Sequence, residues 1–422
     1  MRIYFHSESG DGAWCVAVLA RAGHEVDWSI DKEKYADALR GIIPPPKSDP
    51  PDDVSPYDLV VFDTCCHGDM ADEMRKQTPV IGSSAFAERL ELDRLAGIEF
   101  MEKCGIKVPP YESFDDVGKA IKWLRKRNTR CVFKPNGAVE DKATTYVSKS
   151  ADDMIDYLGK LATKSKGDFL LQEFVQGTEV STNAWFNGTD FYALDHTLEE
   201  KKFLAGGIGP NTGCSGNLVW MPSATKLYQQ GLFRAREELA AAGFVGPIDL
   251  NVIATEGELF GLEWTPRFGY EGTCNMMKLI NIDFGEFLCM IASGEAPNVS
   301  SRYAFAASVR LSVPPYPNPS KREKYEGTPV KGIDEDMIES FYLSDVQVVD
   351  GEMVTLGTDG LIGAPIGCSD SIKGAFDECE EAIKRLEIPD LQYRNDIEKC
   401  VTKRYNELER NGWLRKTNAA NA

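Results

Sequence analysis

Histidine is scarce in this sequence: His6, His24, His67 and His196 are the only four, scattered along 422 positions. That scatter argues against a zinc site and directs any metal towards oxygen ligands. Long apolar runs are also missing. None approaches the roughly 20 residues that span a bilayer, and the opening MRIYFHSESGDG lacks the apolar core of a secretory leader, so a cytoplasmic protein with no membrane partner is expected. Basic charge is in deficit. The formal net charge of −19 disfavours broad nucleic-acid binding, because counterion release needs clustered Lys and Arg, although a local basic pocket for a small anion remains compatible with it. The eleven cysteines contain no CxxC pair, and Cys65 and Cys66 are adjacent, so reduced thiols are expected rather than a disulfide framework.

What is present is an ordinary globular mixture, 42% hydrophobic and 27% charged, in a chain long enough for about two to four domains. Residues 1–85 alternate strand and helix: RIYFH, a helix through AWCVAVLARAG, then HEVDWSI, DLVVFD and PVIGSS. That rhythm predicts a parallel sheet with crossover helices. The proline-rich stretch from Ile43 to Pro56 is expected to be an extended surface loop. A helix is predicted from Ala85 to about Cys104, closing at Gly105, followed by a helix over Val117 to Arg127, the strand CVFKP, a helix from Ser150 and the strand FLLQEF. This small alternating block, about 113–174, reads as a lid. Residues 178–300 look strand-rich, with a helix around Lys226 to Ala242. From Tyr303 come the strands ASVRLSV, DVQVV and EMVTLG, a turn at Val349 to Glu352 and an amphipathic helix near Ser371 to Leu386, and the final TNAANA is expected to fray. The division expected is an α/β domain over 1–85, a middle region over 86–298 and an α+β domain over 299–422.

One hairpin carries an anomaly. In VGPIDLNVIATEGELFGLEWTPRFG, Val245 to Gly269, an acid interrupts each of two apolar runs. Strand alternation puts Asp249, Asn251 and Ile253 on one face, and Gly261, Glu263 and Thr265 on one face of the partner. A three-residue loop at Glu256 to Glu258 would pair 255 with 259, setting Asp249 opposite Thr265 and Asn251 opposite Glu263. Four oxygen-bearing side chains would then line one patch able to hold one or two hard cations, Mg²⁺ first. The competing reading is a solvent-facing polar side. Leu250, Val252, Ile253, Leu262 and Trp264 make both strands apolar on both faces, and a buried acid there needs a partner, which favours the metal.

These residues also resemble a known family. GLEWTPRFG is similar to the metal-binding strand of ATP-grasp enzymes, and LAGGIGPNTGCSG, Leu204 to Gly216, to the substrate loop of the phosphoribosylamine-glycine ligases. PVIGSSAFAERLELDRLAGIEFMEKCGIKVPPY, VFKPNG, LLQEFVQGTE and LQYRNDI follow in the family's order, so the resemblance covers nearly the full length. It implies an α/β chain of ATP-grasp architecture: an N-terminal parallel α/β domain, a small ATP-binding lid and a C-terminal mixed α+β domain. The implied activity is ADP-forming carboxylate-amine ligation through an acyl phosphate, as in purine biosynthesis. ATP and Mg²⁺, with Mn²⁺ as an alternative, are the implied cofactors, and the partners are a glycine-like amino acid and an amine, in a monomer or small homo-oligomer.

Residue by residue, the resemblance places Lys134 and Arg94 on ATP phosphates, with Lys142 in the phosphate loop. Backbone around Gln172, Glu173 and Val175 would meet adenine, and Glu179 the ribose. Asp249, Glu263 and Thr265 fall at the metal positions, with Asn251 a candidate substitute for the third. Arg267 is implied near the transferred phosphoryl group, Glu271 being the partner it would have in a plain salt bridge. Lys201, Lys202 and the run Gly209, Pro210, Asn211, Thr212 and Gly213 are implied on the substrate side.

Three stretches depart from the family's pattern: GAVEDKATT over the phosphates, SESGDGAW near the N-terminus, and Ala205-Gly206-Gly207 ahead of GPNTG. They leave two alternatives open, the same chemistry on another amino acid or amine (a modified nucleotide or small metabolite), and an ATP-binding protein without catalysis.

Overall fold

The computed structural model describes residues 1–47, 49–136, 145–161, 168–318 and 325–416. The phosphate-loop position Lys142 and the C-terminal TNAANA lie outside them.

The N-terminal strands form a parallel sheet in the order Glu25–Ile30, Arg2–Ser7, Leu59–Phe62, Val80–Ile81. Leu59–Phe62 is buried along its whole length, as an interior parallel strand covered on both faces must be. Parallel pairing also gathers the residues that follow each strand at one edge, the usual ligand edge of open α/β sheets.

A nine-stranded antiparallel sheet forms the centre. Its order begins Leu259–Thr265, Gly246–Ala254, Thr178–Phe186, Phe191–Leu204, Ile208–Trp220, and Phe305–Val309 adds directly to that last strand. Two segments differ from expectation here. The segment Leu204 to Gly216 is not a loop but the tip and returning strand of a long hairpin, made irregular by bulges beside Lys202 and by left-handed glycines at 206, 207, 209 and 213. The helix predicted over Lys226 to Ala242 is three short pieces, Lys226–Gln230, Leu232–Ala235 and Arg236–Ala241, interrupted at Gly231.

The third sheet, Tyr111–Phe114, Phe169–Glu173, Cys131–Pro135 and Tyr146–Val147, is packed by helices Val117–Arg127 and Ala151–Leu161 around a core of its own that includes Phe114, Leu124, Phe133, Met154 and Leu171. The first helix starts where the Asp116 carboxylate accepts the Lys119 N–H at 2.8 Å and stops at left-handed Asn128, with Arg125, Lys126 and Arg127 complementing the carbonyl end. The C-terminal hairpin Val346–Val349/Glu352–Thr355 turns at Asp350 and Gly351, both with positive φ. Helix Ile372–Lys384, expected near Ser371 to Leu386, is capped by the Ser371 side chain, whereas helix Ile397–Arg410 was not anticipated. Among the described residues no helix is long and apolar enough to cross a membrane.

Candidate functional site

The acid-bearing hairpin sets the site. Asp249 pairs with Thr265 and Asn251 with Glu263, as expected, but by another route. Ala254 pairs with Leu259, so the connection has an even length, closed by Thr255 N–H on Glu258 O at 2.9 Å. Leu262 is the extra residue, a bulge that restores the register before Glu263. The expected alternation Gly261, Glu263, Thr265 is therefore broken between its first two members. Gly261 instead lies so close to the preceding helix that a Cβ would come within 2.6 Å of Met101 Sδ, and its N–H donates to Lys107 O at 2.8 Å.

The helix predicted from Ala85 to Cys104 is two, Ala85–Leu92 and Arg94–Lys103, separated at extended Asp93, whose carboxylate caps the second by accepting from Leu95 and Ala96. That break places Arg94 in a first turn beside the end of strand Cys131–Pro135: its N–H donates to Asn136 Oδ1 at 3.1 Å, its Nε to Pro135 O at 3.0 Å and its guanidinium to Glu263 Oε2 at 3.4 Å. Lys134, at the end of its strand, is buried. Burial pulls its ammonium down to about 8, with Arg94 and Lys201 adding repulsion and Glu263 and Glu179 opposing it. Arg94, Lys134, Glu263, Thr265 and Arg267 line one pocket.

Glu179 closes the neighbouring end. Its Oε1 accepts from Lys201 Nζ at 2.6 Å and from Asn251 Nδ2 at 3.1 Å. Burial pushes this carboxyl up, but Lys201 and the amide outweigh it and hold it below the usual range. Lys201, placed by resemblance on the substrate side, thus reaches the Glu179 group. Lys202 contributes its carbonyl, which accepts from Ser215 and Arg394. The side chain of Glu173 turns to Arg127 at 2.8 Å and its N–H to Pro110 O, while Gln172 is buried in the third sheet and Val175 is half-buried just beyond it.

Asp249 looks into a second, acidic cavity with Asp195, Glu199, Thr273 and Arg267. Burial, then Glu199, pushes the Asp249 carboxyl well above its ordinary range, and burial lifts Asp195 to about 7. Arg267 borders both cavities. Its partner is not Glu271 but Glu91, at 3.3 Å, and Glu271 is instead held by Arg310 Nε at 2.6 Å. Arg310 also donates to Thr212 O at 2.7 Å, fixing the run Gly209 to Gly213, of which Gly209, Pro210, Asn211 and Gly213 are exposed. Glu91 and Arg310 were missed, although Arg310 interrupts ASVRLSV much as Asp249 interrupts its strand. At the hairpin tip, Asp396 accepts the Gly206 N–H at 2.7 Å, and buried Arg394 pairs with Asp396 and Glu200, so LQYRNDI clamps this hairpin.

A divalent cation fits the donor set. Asp249 Oδ1 and Asn251 Oδ1 are buried and find no hydrogen-bond donor among the described residues, and both lie on the patch that Glu263 shares. Leaving two buried acceptors unmatched is costly unless something binds them.

Comparison with known proteins shows what the chain resembles. Residues 97–237 match the family "Phosphoribosylglycinamide synthetase, ATP-grasp (A) domain". Phosphoribosylamine–glycine ligase of Thermotoga maritima is 26% identical over 331 residues, 75% of this chain and 80% of that protein, and the enzyme of Fusobacterium nucleatum 24% over 333 residues, 75% and 77%. The crystal structure of the Thermotoga enzyme superposes with a TM-score of 0.74 at 21% identity, covering 94% of this chain and all of the other. Biotin carboxylase of Campylobacter jejuni gives 0.65 at 13% identity, covering 98% and 97%. The fold is that of these ATP-grasp structures, and in sequence the chain is similar to phosphoribosylamine–glycine ligases.

Proposed function

We infer that the protein is an ATP-dependent, ADP-forming carboxylate-amine ligase of the phosphoribosylamine-glycine ligase type. The observation that carries this reading is the meeting of lid and sheet: Lys134 and Arg94 face Glu263 across one pocket, while Asn251 joins Glu263 to Glu179 and leaves its own Oδ1 for a cation. Phosphoryl transfer asks a protein mainly for position and charge neutralisation, and these groups supply both. Lys134 and Arg94 hold phosphate oxygens; Glu179, braced by Lys201, takes ribose hydroxyls; the backbone from Gln172 to Val175 meets the base. Asp249, Glu263 and Asn251 would hold Mg²⁺, with Thr265 beside them, and Mn²⁺ suits the same oxygens. When bound, the cation neutralises phosphate charge. Arg267, shared by both cavities, orients the carboxylate towards the phosphoryl donor.

Purified protein with Mg-ATP, glycine and freshly generated phosphoribosylamine should release ADP and form the glycinamide product, read by mass. ADP release absent with this pair would remove the substrate assignment.

A second reading keeps the chemistry and changes the amine or amino acid. It is favoured by the N-terminal loop, where Glu8 pairs with Lys32 at 2.9 Å and Asp11 is half-buried, an acidic surrounding for a ribose phosphate. A different product mass in the same assay, run across amines and amino acids, decides for it.

A further inference from the structure

The carboxyl edge of the parallel sheet holds a cluster that the nucleotide site does not use. His6 lies in the first strand, Asp31 follows the second and His67 precedes helix Gly68–Met74. Histidines 61 positions apart in sequence therefore meet: His6 Nε2 is 3.2 Å from His67 Nε2 and 3.3 Å from Asp31 Oδ1, and His67 Nε2 is 2.6 Å from Asp31 Oδ2.

The surroundings orient the His6 ring for binding through Nε2, while the Nδ1 of His67 is buried without a partner among the described residues. His6 is buried, and its Nδ1 is taken by Ser29 Oγ at 2.8 Å, a hydroxyl that also contacts Tyr4. Such a contact on the far nitrogen selects the tautomer and orientation of metal-binding histidines. The ring of His67 stacks on Phe62 with centroids 5.9 Å apart. Zinc–nitrogen bonds of 2.0–2.1 Å imply a tetrahedral edge of about 3.3 Å. Two of the three separations already have that length, and half-exposed Asp31 has room to open the third.

We propose that His6, Asp31 and His67 form a transition-metal site, with Zn²⁺ the preferred ion and an open fourth position on the solvent side of Asp31. Two imidazoles and one carboxylate suit zinc better than Mg²⁺, so this site is chemically distinct from the oxygen-only hairpin patch. The scatter of four histidines, which argued against zinc, concealed a pair that parallel strand pairing brings together.

The test uses the full chain, stripped of metal, with Zn²⁺ titrated against a chromogenic chelator in the presence of excess Mg²⁺. One equivalent of Zn²⁺ is expected to bind. Asp31→Asn and His67→Gln, both on partly exposed residues, should each weaken it by about 10-fold or more, since even partners of ligands cost that much. Cys66→Ser should leave binding unchanged, and Co²⁺ should give a d–d spectrum without a thiolate charge-transfer band. Zinc binding that is absent, or unaltered in both ligand variants, or lost in Cys66→Ser with a thiolate band in the cobalt form, overturns the assignment.

Discussion

Asn251 stands directly across the hairpin from Glu263, and its amide nitrogen reaches sideways to Glu179. One side chain thus links the proposed cation patch to the proposed ribose end of the site, and its own oxygen is buried without a donor among the described residues. Replacing Asn251 by Leu should raise the Mg²⁺ concentration for half-maximal activity by about 10-fold or more, by analogy with other metal-site substitutions. Stability without ligands should change by less than about 2 kcal/mol, because removal of the unmatched buried acceptor offsets the lost hydrogen bond to Glu179, which keeps Lys201. Metal titrations of activity alongside thermal melts check both.

Lys134→Ala and Glu263→Ala should each lower turnover by about 10²-fold or more, as removal of a main electrostatic contact to the reacting phosphate does. Steady-state rates at saturating ATP measure this, and near-normal turnover in both variants would remove the site assignment.

The position of Lys134 also sets a pH dependence. Its folded value, about 8, lies below that of an unfolded lysine. The free protein therefore loses this proton as pH rises through 8, and a triphosphate that needs the ammonium should bind progressively more weakly above it. Stability moves the other way: the unfolded chain binds the extra proton between 8 and the ordinary lysine value, so the lysine's burial penalty fades with rising pH. Calorimetric binding of a non-hydrolysable ATP analogue from pH 7 to 9 reads the first effect, and Lys134→Met should flatten it.

Arg310 and Glu271 form a buried pair whose partner groups reach the GPNTG hairpin through Thr212 O. Arg310→Met should destabilise the fold by about 3–5 kcal/mol, because Glu271 keeps a buried charge without its counter-ion, and Arg310→Met/Glu271→Met should recover much of it. Urea unfolding of both variants provides the comparison.

The elements most legible in the sequence were those with local signals: the alternating N-terminal strands, the helix between Asp116 and Asn128, and the hairpin acids. Even there the hairpin register came out right for an incomplete reason, since the bulge at Leu262 corrects a loop of the other parity. Continuous helical periodicity hid the breaks at Asp93 and Gly231, where a cap and a backbone turn override the pattern. Long-range pairings were the least visible. Nothing local in the chain marks Glu91 as the partner of Arg267, Arg310 as that of Glu271, or His6 as the neighbour of His67, because only the folded sheets bring them together.

On the proposed reading, a substrate carboxylate is activated by phosphoryl transfer before the amine attacks. The most direct test is turnover with Mg-ATP, phosphoribosylamine and glycine carrying ¹⁸O in its carboxylate, with the released phosphate analysed by mass. Amide formation is expected to deliver one carboxylate oxygen to each phosphate. Amide formed with unlabelled phosphate, or no turnover with any carboxylate-amine pair, would contradict that reading.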